Sequence, residues 1–283
     1  MDITKYLDTW AAAYRNDLIE NIMPFWMKFG LDRKHGGIYT CLDRDAKLMD
    51  SPNSVWFQGR FGFIASYAYN HIEKKQEWLA ASKSCIDFIE THCTDIDGHL
   101  FFEVTEEGIP LRKRRYVFSE CFAAIAMSEY AIASGDKSYA TKALEIFKRT
   151  LKFLSTPGFL EPKYLPTLQS RGHSITMILI NTASRIREVI EDPVLDRQIN
   201  ESLTSIRQYF MHPEFKALLE MVGPKGELID TCNGRTINPG HCIETSWFIM
   251  EEARHRNWDK DLVQLALQIL DWSWEWGWDK EYG

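Results

Sequence analysis

"DRKHGGIYTCLDRDAKL" (residues 32–48) runs towards the apolar, helix-like stretch "VWFQGRFGFIASYAYN" (55–70), and the same arrangement returns twice further along the chain. "DIDGHLFFEVTEEGIPL" (95–111) leads into "YVFSECFAAIAMSEYAIASG" (116–135). "GPKGELIDTCNGRTI" (223–237) leads into "HCIETSWFIMEEARH" (241–255). Each unit is a Gly-containing turn, a short hairpin-like stretch, a helix with polar residues near its start, and then a second, outer helix. The first two units begin 65 residues apart, from Asp32 to Asp97. Helix pairs repeating at such an interval indicate a helical toroid or solenoid, because each pair buries its apolar face only by stacking on its neighbours. A long solenoid keeps its repeats regular, whereas here the helix starts differ in their aromatic and polar residues. That difference favours a closed barrel whose helix starts rim one cavity. The expected fold is all-α, of the (α/α)6-barrel type, with short β-hairpins in the loops.

Apolar residues recur at three- and four-residue spacing over 4–28, 54–71, 76–93, 116–134, 137–154, 173–190, 194–210, 240–256 and 259–276, which predicts nine helices. Six pairs at this repeat length would need roughly 390 residues. The final "WGWDKEYG" (276–283) resembles the opening of the first hairpin, so the chain is expected to be one domain, 1–283, truncated at its C-terminus.

Of the 283 residues, 45% are hydrophobic and 13% aromatic, enough for a substantial core. The net charge of −7 with both signs interspersed gives no basic stripe for nucleic acid. The charged N-terminus reads as neither signal peptide nor anchor, and no apolar run approaches the roughly 20 residues that span a bilayer. Six scattered cysteines without metal-ligand spacing are expected to be reduced thiols in a cytoplasmic protein, with no metal bound. Phosphate-loop, dinucleotide-binding, zinc-protease and nucleophile-elbow motifs are all missing.

The residues with chemical potential gather at helix starts. Asn238 can cap the helix that Pro239 and Gly240 introduce, which puts His241 in its first turn. Glu244 follows on the same face one turn later, and Trp247 continues it as a surface on which a sugar ring can stack. A locally satisfied, capped helix has the same spacing, so spacing alone leaves both readings open. In "VWFQGRFGF" (55–63), Arg60 is suited to neutralising an oxyanion, with Gln58 and Trp56 as hydrogen-bonding and stacking partners. On the residues alone, an Arg snorkelling past Phe61 is the favoured reading there. His173 opens another helix after a loop carrying Lys163 and Arg171. Ser119 and Glu120 hold the helix-start position of the second repeat. The Trp-rich run "DWSWEWGW" (271–278) reads as inter-helix core.

Taken together, "WFQGR", "RGHSITMIL", "INPGHCIETSWFIMEEA" and the terminal "WEWGWDKEYG" resemble the N-acylglucosamine 2-epimerase family along essentially the whole chain. The resemblance implies an (α/α)6 barrel and epimerisation at C2 of an open-chain sugar through an enediolate. It implies that His241 is one of two histidines that move the proton, that Arg60 is the essential arginine, and that Glu244 orients or contacts the substrate. Trp56, Gln58, Asn238, His173 and Trp247 are the expected substrate-binding set. No cofactor is required on this reading, ATP is at most an allosteric effector, and a homodimer is the expected assembly, with neither nucleic acid nor membrane as partner. The family's second catalytic histidine lies in C-terminal repeats beyond this chain, so the chain alone is expected to turn over little substrate. The Asn-Pro-Gly before His241 leans towards N-acylglucosamine and N-acylmannosamine as substrates. Cellobiose 2-epimerase, a mannose isomerase-like enzyme, a glycoside hydrolase using Glu120 and Glu244, and a non-catalytic protein-binding member are the alternatives.

Overall fold

The computed structural model describes residues 2–113 and 116–283. Its helices are α1 (Ile3–Asp17), α2 (Met23–Phe25), α3 (Val55–His71), α4 (Gln76–His92), α5 (Phe118–Ser134), α6 (Lys137–Ser155), α7 (His173–Arg187), α8 (Pro193–Ser205), α9 (Pro239–His255) and α10 (Lys260–Gly277). Wider, π-type turns at Leu18–Ile22 and Trp26–Gly30 flank α2, and one at Ile206–Phe210 extends α8. Apart from three-residue α2, the nine long helices coincide with the nine predicted from periodicity. The chain is 59% helix and 9% strand, so the all-α expectation is borne out.

The strands are short and lie in the loops: β1 (Cys41–Leu42), β2 (Leu48–Asp50), β3 (Asn53–Ser54), β4 (Glu103–Val104), β5 (Pro110–Arg112), β6 (Arg171–Gly172), β7 (Met211–His212), β8 (Ala217–Leu218) and β9 (Met221–Val222). They form β1–β2, β3–β4–β5, β6–β9 and β7–β8 sheets, all antiparallel. Two pairings reach across a whole helix pair. Ser54 lies opposite Glu103, and Gly172 lies opposite Met221. Each therefore fixes the start of one inner helix against the hairpin that precedes the next.

Backbone contacts divide the chain into two compact units, one ending at Phe153 and the other running over Leu154–Gly283. In the first unit α3 packs on both α4 and α5. Its buried residues Gln58, Gly59, Gly62, Ala65, Ser66 and Ala68 are mostly small, which lets the backbones approach closely. A Cβ added to Gly59 would sit 2.6 Å from the Phe122 carbonyl carbon. Backbone cannot move aside as a flexible side chain can, so the glycine beside Arg60 is a packing requirement. Ser66 and Ser82 add a hydroxyl pair at 2.7 Å between α3 and α4, with Ser82 donating in turn to the Gly62 carbonyl at 2.7 Å. The inner helix α5 is buried without interruption from Ser119 to Ala131, whereas outer α6 buries one stripe that includes Tyr139, Ala143, Phe147 and Phe153. Gly59→Ala is expected to lower stability by about 1–3 kcal/mol through overpacking, despite alanine's better helix propensity. Denaturant unfolding of the two proteins measures the difference.

In the second unit α7 packs on α8 and α9, and α9 on α10. A buried stripe of α10 (Leu262, Leu265, Ala266, Ile269, Trp272) packs where the helix meets α9 and the strand β8. Only Trp272 of the Trp-rich run is core. Trp274, Trp276 and Trp278 are exposed: Trp274 stacks on Trp278 with centroids 4.7 Å apart, and Trp276 donates to the Lys216 carbonyl at 3.1 Å. No described helix is long and apolar enough to cross a membrane.

Candidate functional site

Helix α9 starts as its sequence dictates. Pro at the first position needs no hydrogen-bond partner, and the Asn238 side chain accepts from the His241 backbone N–H at 3.3 Å. The expected cap is therefore in place, which commits the Asn238 side chain to the helix start. His241 projects half-buried from this first turn, with Glu244 and Trp247 exposed further along the helix.

The side chain that organises the site is one that local sequence reading does not single out. Glu220 Oε2 lies 2.9 Å from His241 Nδ1 and 3.8 Å from His173 Nδ1. Its position follows from strand pairing. The β6–β9 ladder continues through His173 N–H donating to the Glu220 carbonyl at 3.0 Å, and Glu220 N–H donates to the Thr236 carbonyl at 3.1 Å. One residue is thus pinned between the start of α7 and the segment leading into α9. His173 is fully buried. Its Nε2 meets Thr245 Oγ1 at 3.0 Å, and its ring packs edge-on against Phe210. The expectation that His173 binds substrate is corrected: with no exposed surface, its ring reaches a ligand only through Glu220 and His241.

Burial opposes the charge of Glu220, yet the His173 and His241 rings beside it bring its carboxyl down to about 2. The hydrogen bond that His241 Nδ1–H donates to Glu220 raises the His241 pKa above its ordinary value; burial opposes this, and the charges of Glu220 and Glu244 add to the rise. Because the carboxyl's folded value lies below its ordinary 4.5, its contribution to stability is full above that pH and is lost as pH falls from 4.5 towards 2. The drop in melting temperature from pH 5 to pH 3 is accordingly expected to be smaller in Glu220→Gln than in wild type.

The first unit presents a different surface. Trp56 is half-buried against Phe102, Phe118 and Phe122, with ring centroids 5.1, 5.2 and 5.8 Å away. The exposed Arg60 guanidinium lies over the Phe122 ring, 3.9 Å from its centroid, in a cation–π contact. Gln58, expected to bind substrate, is corrected: it is fully buried, accepting from Ile38 N–H at 3.0 Å and donating to the Ile38 carbonyl at 2.7 Å. Its amide ties the first hairpin turn to α3. Glu120 is also fully buried; it contacts His99 Nδ1 and accepts from Leu100 N–H at 2.6 Å. That removes one of the two carboxylates the glycoside hydrolase alternative needs. Asp32, His35 and Glu106 approach within 4.8 Å. The Asp32 carboxylate serves its own turn, accepting from Lys34 N–H at 2.8 Å and His35 N–H at 3.0 Å.

A family profile described as N-acylglucosamine 2-epimerase (GlcNAc 2-epimerase) matches residues 37–283. The chain belongs to the N-acylglucosamine 2-epimerase family. N-acylglucosamine 2-epimerase of Rattus norvegicus is 27% identical over 98% of this chain and 68% of its own length. Among solved structures, cellobiose 2-epimerase from Bacillus thermoamylovorans B4167 superposes with a TM-score of 0.83 at 20% identity, covering 95% of this chain and 72% of that one. The structure of a D-mannose isomerase gives 0.78 at 15% identity, covering 96% and 72%. These likenesses show that the fold class is that of the (α/α)6 epimerases expected from the repeat. Membership of the N-acylglucosamine 2-epimerase family makes the chain a carbohydrate epimerase, an isomerase. The chain spans about two thirds of the length of the relatives it matches.

Proposed function

We propose that this chain interconverts N-acylglucosamine and N-acylmannosamine, with His241 moving the C2 proton of the open-chain sugar. The base removes the proton from C2, and the C–H electron pair passes into the C1–C2 bond as the aldehyde oxygen becomes an enediolate-type oxyanion. Return of a proton to the opposite face of C2, from a second acid–base group of the kind the family resemblance implies, gives the epimer. One observation carries this reading: a half-buried imidazole stands in the first turn of α9, bonded through Nδ1 to an ionised carboxylate, which leaves Nε2 to handle a proton. Arg60 is proposed to stabilise the oxyanion, and Glu244 and Trp247 to contact the sugar. The step needs no metal or redox group. Cytoplasmic location, a homodimer and ATP as an allosteric effector belong to the same proposal; light scattering and rate measurements with added ATP test the last two.

Solvent-deuterium incorporation at C2, followed by proton NMR, is the decisive measurement because exchange requires one proton-handling group and no complete turnover. Exchange into N-acetylmannosamine is expected to exceed exchange into mannose or cellobiose. The fold shared with cellobiose 2-epimerase makes cellobiose the second candidate. Faster exchange into cellobiose would transfer the assignment to it, and absence of exchange into any of the three would end the epimerase reading for this chain.

A further inference from the structure

The fold does not require a carboxylate at residue 220. In the first unit, Val55 N–H at the start of α3 donates to the Phe102 carbonyl at 2.9 Å, one step beyond the β3–β4 pairs. In the second unit, His173 N–H at the start of α7 donates to the Glu220 carbonyl at the same step beyond β6–β9. The two backbones are equivalent there, and one carries an apolar ring where the other carries a charge. A largely buried carboxylate is unfavourable unless its oxygens are partnered. The hydrogen-bond partner of Glu220 is the His241 imidazole at 2.9 Å, and the His173 ring lies beside the same oxygen at 3.8 Å.

The proton inventory fixes the direction of the arrangement. The Thr245 hydroxyl donates its one hydrogen to the His241 carbonyl at 2.7 Å, so its oxygen accepts from His173 Nε2–H at 3.0 Å. His173 Nδ1 is buried without a hydrogen-bond partner, 3.8 Å from Glu220 Oε2. The carboxylate, an acceptor only, takes its hydrogen bond from His241 Nδ1–H at 2.9 Å.

We infer that Glu220 is the positioning residue of this site: it holds the neutral His241 ring with its proton on Nδ1 and Nε2 free to take a substrate proton, while His173, anchored by Thr245, backs the carboxylate. The inference rests on the reading of His241 as the proton-transfer residue. It goes beyond that reading by assigning the ring's tautomer to a residue outside the family motif. The other groups around His241 are few. Glu244 and Cys242 stand on its own helix, the Cys242 thiol being pushed up to about 12, chiefly by burial. His173 faces from α7. From α10 the nearby polar group is Ser273, whose hydroxyl donates to the Ile269 carbonyl at 2.6 Å. Glu220 is thus the one carboxylate bonded to the ring among the described residues.

The test is a pH titration of the His241 ring by nitrogen-15 NMR in wild type, Glu220→Gln and Glu220→Asp, with circular dichroism confirming the fold. Wild type is expected to show the Nδ1–H tautomer and the highest midpoint. Both variants are expected to show a lower midpoint and a mixed tautomer, the shorter aspartate falling between the other two. In Glu220→Gln, kcat for C2 exchange is expected to fall roughly 10–100-fold with KM changing less, and the acid limb of the pH profile to move down. A wild-type tautomer and midpoint in either folded variant would overturn the inference. The titration needs no substrate, so it separates the two failures. An unchanged ring overturns the role of Glu220, whereas a changed ring with no exchange in wild type overturns the epimerase reading alone.

Discussion

His241→Ala is expected to reduce C2 deuterium exchange by roughly 10²–10⁴-fold, the usual contribution of a positioned acid–base group, while the protein stays folded. The loss should fall on kcat more than on KM, because the proton is in flight only in the transition state. Folding should survive because the ring is at the rim. The His241 side chain is 33% exposed and that of Glu220 24% exposed, so water can reach the carboxylate once the ring is gone. The backbone bonds that place Glu220, to His173 and Thr236, do not involve the imidazole. The wild-type pH profile supplies an independent check. A base works only when neutral, and Glu220 raises the ring's pKa above the ordinary 6.5. The acid limb of kcat/KM is therefore expected to lie above pH 6.5 and to be missing from the residual activity of the alanine variant. Exchange within threefold of wild type, or a retained acid limb, would remove His241 from the mechanism.

What the sequence discloses and what it hides divide along the range of the interactions involved. Asn238, Pro239 and Gly240 mark the start of α9 because capping and the fixed φ of proline act within four residues. The nine long helices were legible from the same local periodicity. Glu220 was not. It sits in "ALLEMVG" (217–223), an apolar stretch with no motif of its own, and acquires a role only when β6 pairs with β9 across about fifty residues. The repeat carried a usable signal: aligning Gly226 with Gly108, the turn that follows the strand, rather than with Gly98 sets Glu220 opposite Phe102, a charge where the companion unit has a ring. Gln58, His173 and Glu120 show the reverse problem. Each occupies a motif or helix-start position that reads as functional, yet burial turns each inward, towards Ile38, Thr245 and Leu100 respectively. Sequence spacing gives the face of a helix that a residue occupies. It does not say whether a hairpin covers that face.

At the other end of α9 the chemistry is purely structural, and there the largest stability effect is expected: Glu252→Ala should cost about 3–5 kcal/mol, the range for removing one member of a buried ion pair. Glu252 is fully buried on α9. Its two oxygens engage Arg187 Nη2, at the end of α7, at 2.6 Å and Arg256 Nε at 2.6 Å. Arg187 also pairs with Asp196 on α8, and Arg256 donates to Asn200 on α8 at 2.8 Å. One carboxylate therefore ties α7, α8 and α9 together. The Arg187 side chain is only 11% exposed, so losing Glu252 leaves a guanidinium that cannot recover full hydration. In wild type Glu252 and Asp196 raise its pKa against the opposing effect of burial; with Glu252 gone the guanidinium still keeps its proton, so it stays charged and destabilising rather than neutralising itself. The double variant Arg187→Met/Glu252→Leu removes the stranded charge along with its partner and is expected to recover most of the loss. Denaturant unfolding of the two single variants and the double variant completes the cycle. Glu252 lies eleven residues beyond His241, roughly 16 Å along the helix at 1.5 Å per residue. At temperatures where Glu252→Ala remains folded, its exchange rate should match wild type. Equal stability of Glu252→Ala and wild type would show that the cluster contributes no net stabilisation. A loss of exchange in the folded variant would show that the two ends of α9 are coupled.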